Sequence, residues 1–245
     1  MAEDAVSQKP FAVIVTPADP DAFGPPVDSI PKGIVVVTAD SKAHSDRVDI
    51  ALSTNNVEGG KLAARALGEA IKKKYGKAEG EVAIVSNAPS VSTLFQRQDG
   101  FKEVLAKEYP GLKVVTLRIG DGNAPSGITN CLDVLSAFPN LRGLWADGGP
   151  QGMGAGQALG ESNAQDRVMM VSFDVNAKLL DLLKTGVIKA LVLQDPYKMG
   201  FEGVKAALAK ADDKEVPKDI DTGVTVVTAD NLNTPEVQTL LKNQL

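Results

Sequence analysis

Val168-Met169-Met170-Val171-Ser172-Phe173-Asp174 is a short apolar run, β-branched at its first and fourth positions, that stops on a carboxylate. Such a run reads as a buried parallel strand that delivers Asp174 to its carboxyl end, the end at which ligands bind in open α/β sheets. A carboxylate there accepts hydroxyl hydrogen bonds from a polar ligand and needs no metal to do so. The same residue also suits the N-cap of a helix beginning near Asn176, and the stretch by itself leaves both roles open.

The pattern continues on either side. From Phe11 onward, short β-branched runs alternate with helical patterns, the mark of a parallel sheet flanked by helices. Strands are expected at residues 11–16, 34–38, 50–53, 82–86, 113–117, 143–146, 168–173 and 190–193, with a last extended segment at 223–228. Helices are expected at 57–74, 92–108, 126–137, 151–162, 177–185, 197–210 and 235–243. Residues 2–8 read as the tail of a helix that runs directly into the first strand. Between Asp19 and Gly33 the prolines Pro25, Pro26 and Pro31 remove backbone donors, so at most a short, irregular helix is expected there.

Composition narrows the function classes. At 245 residues, 43% hydrophobic and 23% charged, the chain is an ordinary globular protein able to bury a substantial core. Its net charge of -5 offers no basic excess to neutralise phosphates, which argues against a general nucleic-acid binder. The basic run Lys72-Lys73-Lys74 falls at a helix end, where cations complement the macrodipole, and reads as a solvated face. A single cysteine, Cys131, permits no intramolecular disulfide and reads as a small core residue; a single histidine, His44, reads as a surface loop residue. No run approaches the length of a membrane span, and the amino terminus shows no basic segment followed by an apolar one, so no export signal is expected in this chain.

Polar residues recur where strands should end: Asp40, Asn87, Asp147, Asp174 and Gln194. In a parallel sheet such endpoints gather along one edge, where they can converge on a ligand as well as serve turns and caps. Arg97 lies three residues after Leu94 and four before Phe101 on the apolar stripe of its helix, which turns it inward near the same edge. A guanidinium in that place either donates a fork of hydrogen bonds to ligand oxygens or pairs with a structural carboxylate. Trp145 and Phe173 precede polar endpoints, so alternation points both into the core.

Enzyme signatures are missing. Gly59-Gly60 lies inside a helical pattern, and Gly148-Gly149-Pro150 lacks the Lys-Ser/Thr of a phosphate loop. There is no G-x-S-x-G elbow, and a lone His44 in a polar loop, with no nucleophile motif around it, makes a hydrolytic triad an unsuitable reading. No cofactor is implied.

The order of motifs resembles the periplasmic sugar-binding proteins of the ribose-binding type, the ligand receptors of ABC importers. The matching pieces are Ile14-Val15-Thr16-Pro17-Ala18-Asp19, residues 35–40, Ser53-Thr54-Asn55-Asn56-Val57-Glu58-Gly59-Gly60, Arg97-Gln98-Asp99-Gly100-Phe101, residues 171–174, and Gln194-Asp195-Pro196-Tyr197-Lys198-Met199-Gly200. The resemblance implies a type I fold of two Rossmann-like lobes, each a parallel sheet flanked by helices, joined by three crossings and closing on a sugar. The amino-terminal lobe would comprise residues 1–53 and 195–223, and the carboxy-terminal lobe residues 54–194 and 224–245. The family's sugar contacts map onto Asp40, Arg97, Asp174 and Gln194, and its hinges onto Ser53, Thr54, Asn55, Asp195, Gly223 and Val224.

Three departures accompany the resemblance. An arginine that often follows the first aspartate is Ser41 here, and an Asn-Asp pair is replaced by Gly148-Gly149, which removes a side-chain ligand and should loosen that loop. The family's first two βα units have no counterpart, so the amino-terminal lobe is expected to be incomplete, with an unpaired edge at the strand 11–16 and impaired binding. The expected partners are a monosaccharide, the membrane permease of an importer and, through the open edge, a second copy of the chain. The expected location is the periplasm or cell envelope for a full-length member. The alternative of a different class is the effector-sensing core of a lac-repressor-type regulator, which shares this fold.

Overall fold

The computed structural model describes residues 2–89 and 91–245. Along the chain come α1 (Ala2–Ser7), β1 (Ala12–Val15), α2 (Gly24–Asp28), β2 (Val35–Ala39), β3 (Ile50–Ser53) and α3 (Asn56–Tyr75). They are followed by β4 (Gly80–Ser86), α4 (Ser92–Glu108), β5 (Leu112–Ile119), α5 (Ala124–Ala137), β6 (Leu141–Ala146), α6 (Gly149–Glu161), β7 (Met169–Phe173) and α7 (Ala177–Lys184). The chain ends with β8 (Ile188–Leu193), α8 (Pro196–Ala211), β9 (Asp219–Asp221), β10 (Thr225–Thr228) and α9 (Pro235–Lys242). These elements form two compact units: unit 1 comprises residues 1–55 and 194–223, unit 2 residues 56–193 and 224–245. Thr54, Asn55 and Gln194 thus fall in unit 1, whereas the sequence reading assigned them to the other lobe.

Unit 1 is built on a four-stranded sheet in the order β1-β2-β3-β9, with every pair parallel. Alternation along β2 sends Val36 to one face, against Val27, Ile30 and Val48, and Val37 to the other, with Ile50, Leu52 and Ala206. β1 stands at the end of the sheet, and its flanking Phe11 and its own Ile14 are exposed. α8 packs through Gly203 against Leu52 and Val37 and leaves Tyr197, Phe201, Val204 and Leu208 exposed on its other side. The proline-rich segment holds only the short α2, with Pro25 among its first positions, where the missing donor costs nothing. Arg47 secures its far end by donating to the carbonyls of Ile30, Pro31 and Ile34 while pairing with Asp49.

Unit 2 is built on a six-stranded sheet in the order β10-β8-β7-β6-β4-β5. The Val168–Phe173 run forms its interior strand β7, whose residues are all buried, and β7 pairs parallel with β6 and β8. Only β10 runs antiparallel, against β8, an exception to the parallel sheet expected from sequence. One face carries α3 and α4, where Phe101 stacks on Trp145 at 4.1 Å between ring centroids. The other packs Leu144, Met170 and Leu191 against residues of α5, α6, α7 and α9.

Glycines set how closely helices approach in this unit. A Cβ on Gly60 would lie 1.8 Å from the carbonyl oxygen of Arg97, and one on Gly100 would lie 2.0 Å from that of Val57. α3 and α4 therefore touch backbone to backbone at Gly60 and Gly100, while a Cβ on Gly59 would lie 2.9 Å from the Phe173 ring.

Candidate functional site

In unit 2 the polar strand ends gather as the fold class requires. Asp174 follows β7 in the left-handed region, φ +66°, and its N–H donates to the carbonyl of Val192 on the neighbouring strand at 2.9 Å. For a residue other than glycine that conformation is sparsely populated, and aspartate is among the few side chains that adopt it. Its carboxylate oxygen Oδ2 accepts from the N–H of Gly149 at 3.0 Å, at the start of α6, where the helix dipole favours negative charge. Asp174 is not the cap of α7: Asn176 is, accepting from the N–H of Leu179 at 2.9 Å. The Gly148-Gly149 loop, expected to be loosened, is buried and tied to Asp174 by this hydrogen bond.

Arg97 sits near the start of α4 and is only 4% exposed. Its Nε donates to Asn56 Oδ1 at 2.8 Å and its Nη1 to the carbonyl of Asp147 at 2.7 Å. The guanidinium lies 3.6 Å from the centroid of the Phe173 ring, so Phe173 is a core residue, as expected, that also carries the arginine on its face. These contacts fix the fork in one orientation.

Beneath Arg97 lies a buried carboxylate. Asp147 is fully buried at the end of β6; its Oδ1 accepts from the N–H of Asn87 at 2.9 Å and its Oδ2 from Gln98 Nε2 at 2.7 Å. Burial pushes its pKa up, opposed by hydrogen bonds from Ser86, Gln98 and Asn87 and by the charge of Arg97. Gln98 also reaches Ser86 Oγ at 3.1 Å, so β4, β6 and α4 are knitted together at the strand ends. The Asn87 side-chain oxygen is buried without a partner among the described residues, an acceptor available to a ligand.

Unit 1 repeats the strand-end geometry. Asp40 follows β2 with φ +69°, and its N–H donates to the carbonyl of Leu52 at 2.9 Å. Gln194 Oε1 accepts from Thr54 Oγ1 at 3.2 Å. The expected hinge residues are held in particular ways. The carbonyl of Ser53 accepts from both the N–H and Oγ1 of Thr222. Asp221 Oδ1 accepts from the N–H groups of Asn55 (3.3 Å) and Gly223 (2.8 Å), and Gly223 has φ +87°. Asp195 caps α8 through the N–H of Lys198. Val224 falls on the unit 2 side of the last boundary.

The two units therefore each hold part of the expected set, Asp40 and Gln194 in unit 1, Arg97 and Asp174 in unit 2. Sequence reasoning missed Asn56 and Gln98, both buried and both bonded to this network. The signal was present: Asn56 opens α3 and Gln98 adjoins Arg97. Cys131 is buried, with its thiol pushed up to about 12 by burial, and packs in the core. His44 is exposed and paired with Asp21 at 2.6 Å. No group of three metal-ligating side chains occurs among the described residues, and none of their helices is long and apolar enough to cross a membrane.

Two α/β units with parallel-dominated sheets, between which the chain passes three times, define the fold class of the periplasmic sugar-binding proteins. The chain belongs to the periplasmic binding protein family, whose domain profile matches residues 1–215. It is 29% identical over 219 residues to the ribose import binding protein of Bacillus subtilis, an alignment that covers 89% of this chain and 68% of that relative. It is 27% identical to the D-ribose/D-allose-binding protein of Pseudomonas aeruginosa, over 89% of this chain and 70% of that one. Among solved structures, a carbohydrate transporter solute-binding protein from Agrobacterium radiobacter in complex with D-arabinose superposes with a TM-score of 0.93 at 39% identity. That superposition covers 98% of this chain and 81% of that one. An ABC transporter solute-binding protein from Agrobacterium vitis with bound D-fucose gives 0.86 at 31% identity, covering 97% and 81%.

Proposed function

We propose that this chain is a receptor for a monosaccharide, a ribose-like pentose or a hexose, that works in the periplasm or cell envelope and delivers its ligand to the permease of an ABC importer. Asp40 and Asp174 accept hydrogen bonds from sugar hydroxyls, Arg97 donates, and Gln194 does both. The proposed hinges are Ser53, Thr54, Asn55, Asp195, Gly223 and Val224, about which the units move on binding. No covalent chemistry is part of the role.

The observation that carries this reading is the strand end of β7. Asp174 is held at positive φ with its carboxylate at the start of α6, in the unit where Arg97 is buried on the Phe173 ring. Strained backbone at a ligand-facing strand end is characteristic of binding sites. Support also comes from the relatives, whose names give ribose and allose, and from related structures with D-arabinose and D-fucose.

The test is calorimetric titration of the purified chain with D-ribose, D-arabinose, D-allose and D-fucose. Saturable one-to-one binding of at least one neutral sugar is expected, and absence of heat with every sugar in the panel overturns the reading for this chain.

A further inference from the structure

Unit 2 carries a concavity at the opposite end of its parallel strands from Asp174. It is a groove of about 1090 Å³ between α3, the beginning of β8 and the end of β10. Its floor is apolar: Leu62, Ala66 and Ala70 recur every four residues along α3, on the face of the sheet that carries Ala190 and Val226. Alanines on the helix side keep the groove clear, and the strip from Leu62 to Lys74 follows α3 for about 18 Å.

One end of the groove is strongly cationic. Lys72, Lys73 and Lys74 close α3, and Lys189 rises from β8. None of the four has a carboxylate within ion-pairing distance among the described residues; Lys189 donates instead to the carbonyl of Gly186. Lys189 is half-buried, and its pKa is lowered by burial and by the charge of Lys74, opposed by Asp166. Glu69 and Asp230 also line the groove, two carboxylates against the cations Lys72, Lys73, Lys74 and Lys189, and Arg65, on the same lining, pairs with Glu108. In a chain of net charge -5, this is a local excess of positive charge beside an apolar channel.

We propose that this groove is a binding site for a free single-chain anionic amphiphile, a long-chain fatty acid, with its tail along Leu62, Ala66 and Ala70 and its carboxylate at Lys74 and Lys189. An apolar floor suits a polymethylene chain. Lysine ammonium groups that no carboxylate neutralises supply the anion's counter-charge. A second copy of this chain is a poor occupant: its exposed apolar helix face, on α8, carries Lys198, Lys205 and Lys210, of the same sign as the groove's end.

The experiment is fluorescence titration of the full chain with dansylamino-undecanoate, followed by competition with palmitate and with a long-chain alkylamine. Blue-shifted, saturable one-to-one binding is expected, displaced by palmitate and not by the amine. Lys74→Glu and Lys189→Met should each weaken binding about fivefold. Ala70→Trp, which fills the channel, should abolish binding while circular dichroism shows an unchanged fold. Equal displacement by the amine, or unchanged affinity in the three variants, overturns the proposal. So does sedimentation with anionic phospholipid vesicles, or capture of an acidic amphipathic peptide, by a chain that ignores the free probe.

Discussion

In unit 1 the chain leaves β2 at Asp40 with φ +69° and an N–H bonded to the neighbouring β3; in unit 2 it leaves β7 at Asp174 with φ +66° and an N–H bonded to the neighbouring β8. Both aspartates are half-buried. The surroundings differ. β7 is an interior strand of six with helices packed on both faces, whereas β2 lies one strand in from an edge that leaves Phe11 and Ile14 exposed. A left-handed aspartate at a parallel strand end is thus a local device, set by the turn and one cross-strand hydrogen bond. What the larger unit adds is the buried support around it: Arg97 on Phe173, and Asp147 gripped by Gln98 and Asn87.

The comparison breaks most clearly on ligand affinity. If the two strand ends act as equals, Asp40→Ala and Asp174→Ala should each weaken sugar binding by about a hundredfold, the loss expected for hydrogen bonds to a charged group. Calorimetry on both variants checks this; loss in one with an unchanged dissociation constant in the other would show that a single unit supplies the carboxylate.

A second contrast lies in the helices. Gly100→Ala in unit 2 places a Cβ 2.0 Å from the Val57 carbonyl, and should destabilise the chain by about 2–3 kcal/mol by pushing α3 from α4. Gly200→Ala in α8 of unit 1 meets nothing within 4 Å and should stabilise by about 0.5–1 kcal/mol through helix propensity. Urea unfolding of the two variants measures both, and equal effects would show that the α3–α4 approach is not the constraint described.

The smallest effect concerns Asp147. Burial raises its pKa, so the folded chain holds this proton more tightly than the unfolded chain does. The stability it contributes is complete below the unfolded-state value and is lost as pH rises through the folded-state value. Asp147→Asn removes that dependence, so the stability of the natural chain relative to the variant should fall on going from acid to neutral pH. A difference that stays constant across the titration would show that Asp147 ionises as freely folded as unfolded.

Much of this was legible because it is periodic. β3 and α4 begin and end where their patterns do, and Asp40, Arg97, Asp174 and Gln194 could be picked out as strand-end or inward-facing polar residues. β9 escaped because Asp219-Ile220-Asp221 is three residues long with one apolar side chain, and it exists only through its pairing with β3. The reach of Asn56 to Arg97, and of Gln98 to Asp147, escaped for a related reason: the partners are 41 and 49 residues apart, and no local pattern records such a meeting. The Gly148-Gly149 loop was misjudged because two glycines suggest freedom in the chain. Here they bring a backbone N–H close to a carboxylate, which restricts it.

If Asp40 and Asp174 contact the ligand as proposed, their positive φ also limits how this protein can change its taste in ligands over evolutionary time. Only glycine, asparagine, aspartate and, less readily, histidine hold that backbone region without strain, so both positions are closed to most of the side chains that would make new contacts. Single-step variation there is confined to exchanging a carboxylate for an amide, a ring or nothing. Lineages that acquire a new specificity should therefore carry their substitutions at neighbours such as Ser41, Asn87 and Gly148, with the two aspartates as fixed points around which the rest is rewritten.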